Sequence, residues 1–176
     1  MPTHIIETEN WAGNIKLLST LGEDRERWLM ARSTIRTRAR GEHIFYPMEH
    51  SGQVYFIVSG RVKVGTFASD GRETIRQLAH PGDMIGELAL QGETRRKDFA
   101  TALDEEVTVF SVEAADLFTL MQSTADFAVE MMRHMTRKVQ QAQLRCDSII
   151  FSDARTRIVD TVREMALSHG QVLVFG

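Results

Sequence analysis

Between Thr34 and Val112 the chain offers a succession of short strand-like runs broken by turn residues, with no helical stretch between them. The runs are Ile35–Arg40, His43–Tyr46, Val54–Ser59, Arg61–Phe67, Glu73–Ala79, Ala100–Leu103 and Val107–Val112. They are separated by Gly41, Ser51-Gly52, Gly60, Asp70-Gly71, Pro81-Gly82-Asp83 and Gly92. Asp-Gly between two such runs is a strong hairpin signal, because both positions tolerate the backbone that a tight turn needs. Parallel strands require long crossovers, usually helical, and this region has none. The pattern therefore predicts an α+β chain built around an antiparallel β-roll. In the first run Arg36, Arg38 and Arg40 recur with a period of two, which reads as the solvated face of a half-exposed strand.

Helical patterns flank the roll. Ile15, Leu18 and Leu21 recur at helical spacing, and Trp28, Leu29 and Met30 follow. Thr20-Leu21-Gly22-Glu23 predicts a capping box that opens a short helix at Glu23. Glu113–Met121 predicts another short helix. Ser123 or Thr124 can cap a long one that runs to about Phe151 without Gly or Pro. In it, Ala128, Met132, Met135, Val139, Ala142, Cys146 and Ile149 alternate spacings of four and three, a heptad seam. A narrow seam of small and flexible residues suits pairing with a second copy of the same helix. Packing against the chain's own roll is the alternative, and the two are compatible. A third helical stretch from Ser152-Asp153 through Leu167 carries Ile158, Val162 and Met165 on one face. The apolar end, Val172-Leu-Val-Phe-Gly176, reads as an interruption inside a further domain. The expected organisation is an effector domain over 1–121, a dimerisation helix over 122–152, and a hinge with the start of another domain over 153–176.

Composition narrows the function classes. With 43% hydrophobic and 26% charged residues the chain reads as a soluble globular protein. Runs such as Val54–Val58 are far too short to span a bilayer. The N-terminus lacks the basic and apolar regions of a signal peptide. A single cysteine, Cys146, excludes a disulfide or an all-cysteine cluster within one chain. These features predict a cytoplasmic protein without a membrane partner. The formal net charge of -3 places any contact with nucleic-acid phosphates outside this segment. There is no His-Glu-x-x-His, Cys-x-x-Cys or Walker loop, and no catalytic triad assembles, so no enzyme is predicted.

The stretch richest in chemistry is Pro81-Gly-Asp-Met-Ile-Gly86-Glu-Leu-Ala-Leu90, followed by Arg95-Arg-Lys97-Asp98. Gly86 allows a tight turn that leaves amides uncovered, and such amides bind anions. Glu87 can accept a sugar hydroxyl. A cation about ten residues on can return across the loop to meet a phosphate. Taken alone, a Gly-Glu pair in a loop is more often only a turn.

Gly41-Glu-His-Ile-Phe45, Tyr55-Phe-Ile-Val-Ser-Gly60-Arg-Val-Lys-Val64, Pro81-Gly-Asp83 and Gly86-Glu-Leu-Ala-Leu90, in this order and spacing, resemble the cyclic-nucleotide-binding β-roll. The long helix followed by Phe151-Ser-Asp-Ala-Arg-Thr-Arg157-Ile resembles the effector-domain end of the cyclic-AMP receptor and fumarate-nitrate regulator (CRP/FNR) family. The resemblance covers the chain from about residue 13 onward. It implies a jelly roll, a homodimer, and a transcription regulator that meets DNA through a winged helix-turn-helix beyond this segment, with RNA polymerase as a further partner. It implies that Gly86, Glu87 and Leu88 hold the phosphate and ribose of an effector. Without gaps, the phosphate-pairing arginine falls on Lys97 and the neighbouring hydroxyl residue on Asp98. The Thr-Ser pair that touches adenine falls on Ala142 and Gln143. Met132, Met135, Val139, Ala142, Cys146 and Ile149 form the implied dimer interface.

Three of these positions depart from a cyclic-AMP site. Lys97 keeps the charge without the bidentate fork. Asp98 sets a carboxylate against a phosphate, a repulsion of about 1 kcal/mol in water and about 4 kcal/mol at intermediate dielectric. Ala142 removes a hydroxyl. The expected effector is therefore a cyclic nucleotide or another small molecule, with cyclic AMP itself disfavoured. A shift of loop register would bring Arg95 or Arg96 to the place of Lys97. Haem-sensing relatives use histidine ligands, for which His43, His50, His80 and His134 are the candidates. An iron-sulfur sensor is excluded by the lone Cys146. A non-transcriptional cyclic-nucleotide module, such as a kinase regulatory subunit or a channel appendage, is the alternative to a regulator.

Overall fold

The structure is a computed structural model. It describes residues 15–147 in full, the backbone of 148–151, and residues 158, 159, 161–163 and 165. Compactness divides the chain into two units, Met1–Glu130 and Met131–Gly176.

In the first unit a 3-10 turn (Leu18–Thr20) leads into α1 (Glu23–Ala31). The strands follow as β1 (Thr34–Ala39), β2 (His43–Phe45), β3 (Gln53–Ser59), β4 (Val62–Phe67), β5 (Glu73–Ala79), β6 (Met84–Ile85), β7 (Phe99–Ala102) and β8 (Glu106–Glu113). Helix α2 (Ala114–Ser123) comes next, and α3 (Ala125–Phe151) runs from the first unit into the second. The eight strands form two antiparallel sheets, ordered β1-β8-β3-β6 and β2-β7-β4-β5. The expected antiparallel roll with flanking helices is the observed architecture. Its one unforeseen strand is β6, two residues long.

The two sheets differ in how their faces are covered. Tyr55 and Ile57 of β3 and Val107 and Val109 of β8 enter a buried cluster with Val62 and Val64 of β4 and Ala100 and Ala102 of β7. Alternation sends the intervening residues to the other face. There Val54, Phe56, Phe110 and Val112 are no less buried. Helix α2 packs on β8 and buries Leu117 and Leu120. Covered on both faces, β3 reads as an unbroken apolar run over Val54–Val58, while β8 carries buried Thr108 and Ser111 among its apolar residues. The edge strands β1 and β5 are largely exposed and carry Arg36, Arg38, Glu73 and Arg76, which discourage pairing with another chain's edge.

Local signals met mixed outcomes. The Asp70-Gly71 hairpin is present between β4 and β5, but its connection is five residues long, from Ala68 to Arg72. The Ala68 N–H donates to the Arg72 carbonyl at 2.8 Å, and Asp70 accepts from the Arg72 backbone N–H at 3.1 Å. Helix α1 does start at Glu23, yet the capping box does not form. Gly22 is the N-cap, and Thr20 Oγ1 donates to the Leu17 carbonyl at 3.2 Å instead. Likewise neither candidate cap of α3 uses its side chain so: Ser123 Oγ donates back to the Leu120 carbonyl, and Thr124 Oγ1 is buried without a hydrogen bond. Among the described residues no helix is long and apolar enough to cross a membrane.

Phe56 is fully buried and stacks obliquely on Phe110, with centroids 6.1 Å apart. Phe56→Ala should lower the unfolding free energy by about 3–5 kcal/mol. Ile75→Ala, on the exposed face of β5, should change it by less than about 0.5 kcal/mol. Urea denaturation of both variants checks the pair.

Candidate functional site

Strand β6 is held by β3 through Tyr55↔Ile85 and Phe56↔Met84, and it ends at Gly86. Gly86 takes φ +76°, a left-handed backbone that a side chain disfavours. A 3-10 turn over Glu87–Gln91 follows, and the chain then returns through residues 93–98 to β7. The return segment is zipped to the loop before β3. The Met48 N–H donates to the Arg96 carbonyl at 2.8 Å, the Arg96 N–H to the Glu49 carbonyl at 2.9 Å, and the Ser51 N–H to the Thr94 carbonyl at 3.1 Å. Three backbone bonds thus fix where Arg96 leaves the chain.

The Arg96 side chain turns inward and is 2% exposed. Its Nη1 donates to the Gly86 carbonyl at 3.1 Å, and its Nη2 to the Gln53 carbonyl. The guanidinium carbon lies 4.4 Å from the centre of the Phe45 ring and 5.5 Å from that of Tyr55. Nε is buried without a hydrogen bond. The charge is therefore met by two carbonyl dipoles and two ring faces. Burying a cation away from a counter-ion costs several kcal/mol, and ring faces offset about 0.5–2 kcal/mol of that. A buried guanidinium with a spare donor is a receptor for an anion.

The residues expected at the site divide around this cation. Gly86 is buried and adjoins it, and Glu87 and Leu88, half-buried, open the 3-10 turn that follows. Lys97, the residue that gapless matching puts in the phosphate position, is exposed and pairs with Glu93 at 2.6 Å. The chain bends at Lys97 and Asp98 between the Arg95 bridge and β7, and it is Arg96, held by the backbone bonds to the loop before β3, that is buried. The doubled arginine was the available signal, since a shift of one residue was enough. The neighbouring Phe45, Tyr55 and Gln53 carried no such signal; they are contributed by β2 and β3, remote in sequence.

Asp98 is half-buried. Burial pushes its carboxyl above the usual carboxylate range, Glu87 pushes the same way, and Arg96 and Arg76 pull it down. Ala142 and Gln143 lie on α3 within the second unit, both exposed. Of the histidines, His43 stands on β2, stacked on Tyr46 at 3.8 Å with Nδ1 3.1 Å from Thr101 Oγ1. Burial, then Lys63, holds its imidazole below the ordinary value. His50 and His80 lie in loops and His134 on α3. Among the described residues no three of His, Cys, Asp and Glu come together as a metal site.

A Cβ on Gly86 would sit 2.6 Å from Arg96 Nη1 and 3.3 Å from the Gln53 carbonyl oxygen. Gly86→Ala therefore strains the backbone and displaces the guanidinium together. It should cost about 1–3 kcal/mol of stability, measured by urea denaturation.

Comparison with known proteins agrees with this geometry. The model of the cyclic nucleotide-binding domain matches residues 35–124, which contain all eight strands but the first residue of β1. The "CRP-like cAMP-activated global transcriptional regulator" of Mycobacterium tuberculosis is 28% identical over 131 residues, covering 74% of this chain and 58% of that protein. The chain thus spans less than two thirds of that relative's length. The N-terminal domain of a transcriptional regulator from Streptomyces coelicolor superposes with a TM-score of 0.55 at 27% identity, over 71% of this chain and 89% of that one. FixK2 from Bradyrhizobium japonicum shares the fold, with a TM-score of 0.69 at 22% identity over 82% of this chain and 69% of that one. With more than half of its length matched by the family model, and the matched segment forming the roll around Gly86 and Arg96, this chain belongs to the cyclic nucleotide-binding domain family.

Proposed function

We propose that this chain is the effector-sensing, dimerising module of a CRP-type transcription regulator, with its effector bound in the roll. The observation that carries the effector site is Arg96: a buried guanidinium with an unused Nε–H, held beside the Gly86 turn inside the family's own segment. The effector's anionic group would meet Arg96 beside the Gly86 turn. Glu87 would accept a sugar hydroxyl, and Leu88 would contribute apolar contact. The chemical class that fits is a cyclic nucleotide. Asp98 weighs against any cyclic phosphate at neutral pH, and the replacement of the adenine-contacting hydroxyl by Ala142 is what weighs against cyclic AMP in particular. For Ala142 and Gln143 only the family resemblance assigns a role.

Dimerisation is proposed through α3. In the single chain Met132 is 62% exposed and Val139 56%, and Ala142 and Cys146 are also exposed. Met135 is half-buried, and the side chain of Ile149 lies outside the described residues. Apolar side chains left in water at heptad spacing favour a partner helix of the same sequence. The functional division is then a sensor over 1–121, a dimer helix over 122–152, and a hinge with the start of a DNA-binding region from 153, most of it outside the described residues. Effector binding would favour one geometry of the paired helices, a population shift passed on to DNA-binding heads. DNA and RNA polymerase would be the regulator's partners, in the cytoplasm.

Two measurements test this reading. Calorimetric titration with cyclic AMP and cyclic GMP, from about pH 5 to pH 8, should give saturable heat with at least one of them. Arg96→Gln, if folded by circular dichroism, should weaken that binding by about 10- to 100-fold; undiminished binding removes Arg96 from the site. In sedimentation, Met135→Glu should shift the chain toward monomer, and a variant that stays dimeric removes the seam from the interface.

A further inference from the structure

We propose that Arg95 and Met48 are positioning residues of the anion site: Arg95 clamps a strained bulge at Met48, and the clamped bulge aims Arg96 into the roll. The inference rests on reading Gly86 and Arg96 as the anion site.

The return segment and the loop before β3 pair antiparallel at His50↔Arg95. Next to that bridge, two residues of the loop stand against one of the return segment. The Met48 N–H donates to the Arg96 carbonyl at 2.8 Å, and the Arg96 N–H donates to the Glu49 carbonyl at 2.9 Å. Two residues against one make a β-bulge, a device that bends a strand and re-aims a side chain. The residue opposite this bulge is Arg96. The first residue of such a bulge, when its backbone is left-handed, is ordinarily glycine. Here it is Met48, at φ +71°; among the described residues no other non-glycine residue has a positive φ.

A bulky residue in that conformation is strained, and it persists only where its surroundings over-determine it. The Met48 side chain is 65% exposed, so packing offsets little of the strain. The conformation is held through the main chain instead, and both arginines hold it. The Met48 N–H is bound by the Arg96 carbonyl, and the Met48 carbonyl accepts from Arg95 Nη1 at 2.7 Å. Behind it the loop closes on itself: the Tyr46 N–H donates to Glu49 Oε2 at 3.1 Å. A bond donated by a guanidinium is stronger than a neutral one. The doubled arginine thus divides its roles. Arg95, exposed, secures the bulge, and Arg96, buried, presents its guanidinium beside Gly86. If Met48 relaxed to an ordinary backbone, its bond to the Arg96 carbonyl would break and the aim of Arg96 would be lost. The receptor is competent only while the bulge holds, and apparent affinity scales with that population.

The test is a double-mutant cycle on the full chain with Arg95→Ala, Met48→Gly and the two combined. Each is titrated calorimetrically with cyclic AMP and cyclic GMP and unfolded in urea. Arg95 is exposed, so the fold of Arg95→Ala should persist, which circular dichroism verifies. Arg95→Ala should weaken binding by about 3- to 10-fold. Glycine adopts the bulge without strain and needs no clamp. Met48→Gly should therefore bind as the wild type does, and the combined variant should come within about twofold of it. In urea, Arg95→Ala should lower the midpoint clearly with Met48 present and much less with glycine there. Undiminished binding by Arg95→Ala overturns the aiming role and leaves the nucleotide site standing. A loss that persists in the combined variant overturns it as well, and makes Arg95 a partner of the anion itself. No saturable heat from any of the four folded chains overturns the site reading and the aiming role with it. The urea cycle then still reports whether Arg95 clamps Met48.

Discussion

The guanidinium of Arg96 ties the glycine turn to β3 and to the rings beside it. Through two hydrogen bonds it joins the end of β6 at Gly86 to the start of β3 at Gln53, and it lies against rings from β2 and β3. Its backbone is fastened to the loop before β3. Arg96 is 2% exposed and, among the described residues, forms no ion pair. The arrangement persists because the carbonyls and rings replace part of the lost hydration, and because Gly86 leaves room where any Cβ would collide.

The rest of the fold provides rigidity for that cradle. Strands β3 and β8 are buried on both faces, which fixes β3 between the helical layer and the interior of the roll. β6 is only two residues long and depends on β3 for its register. The cradle is therefore set by a strand buried from Val54 to Ile57, with the 3-10 turn and the return segment built out from it. This is the usual division of labour between a packed scaffold and a site built on its loops.

Much of the architecture was legible in the residues. Turn chemistry at Gly60, Asp70-Gly71 and Pro81-Gly82 marked the strands, and the absence of interposed helices excluded a parallel sheet. Even so, local signals failed wherever a tertiary contact outweighed them. The Thr20 capping box gave way to a bond with Leu17, and β6 was invisible because a two-residue strand exists only through its partner. The site was half legible. Gly86 and Glu87 announced themselves by spacing, whereas counting without gaps selected Lys97 rather than Arg96.

The sequence by itself determined the antiparallel roll, the flanking helices, the heptad seam and the position of the glycine turn. These follow from periodicity and turn propensity, which act over a few residues and need no knowledge of distant neighbours. Only the tertiary structure decided which cation enters the roll. That choice depends on the backbone bonds that fasten Arg96 to the loop before β3, and on Phe45, Gln53 and Tyr55, brought to Arg96 from some forty to fifty residues away along the chain. Burial and charge at one point in space are properties of the folded chain, and no reading of spacing contains them.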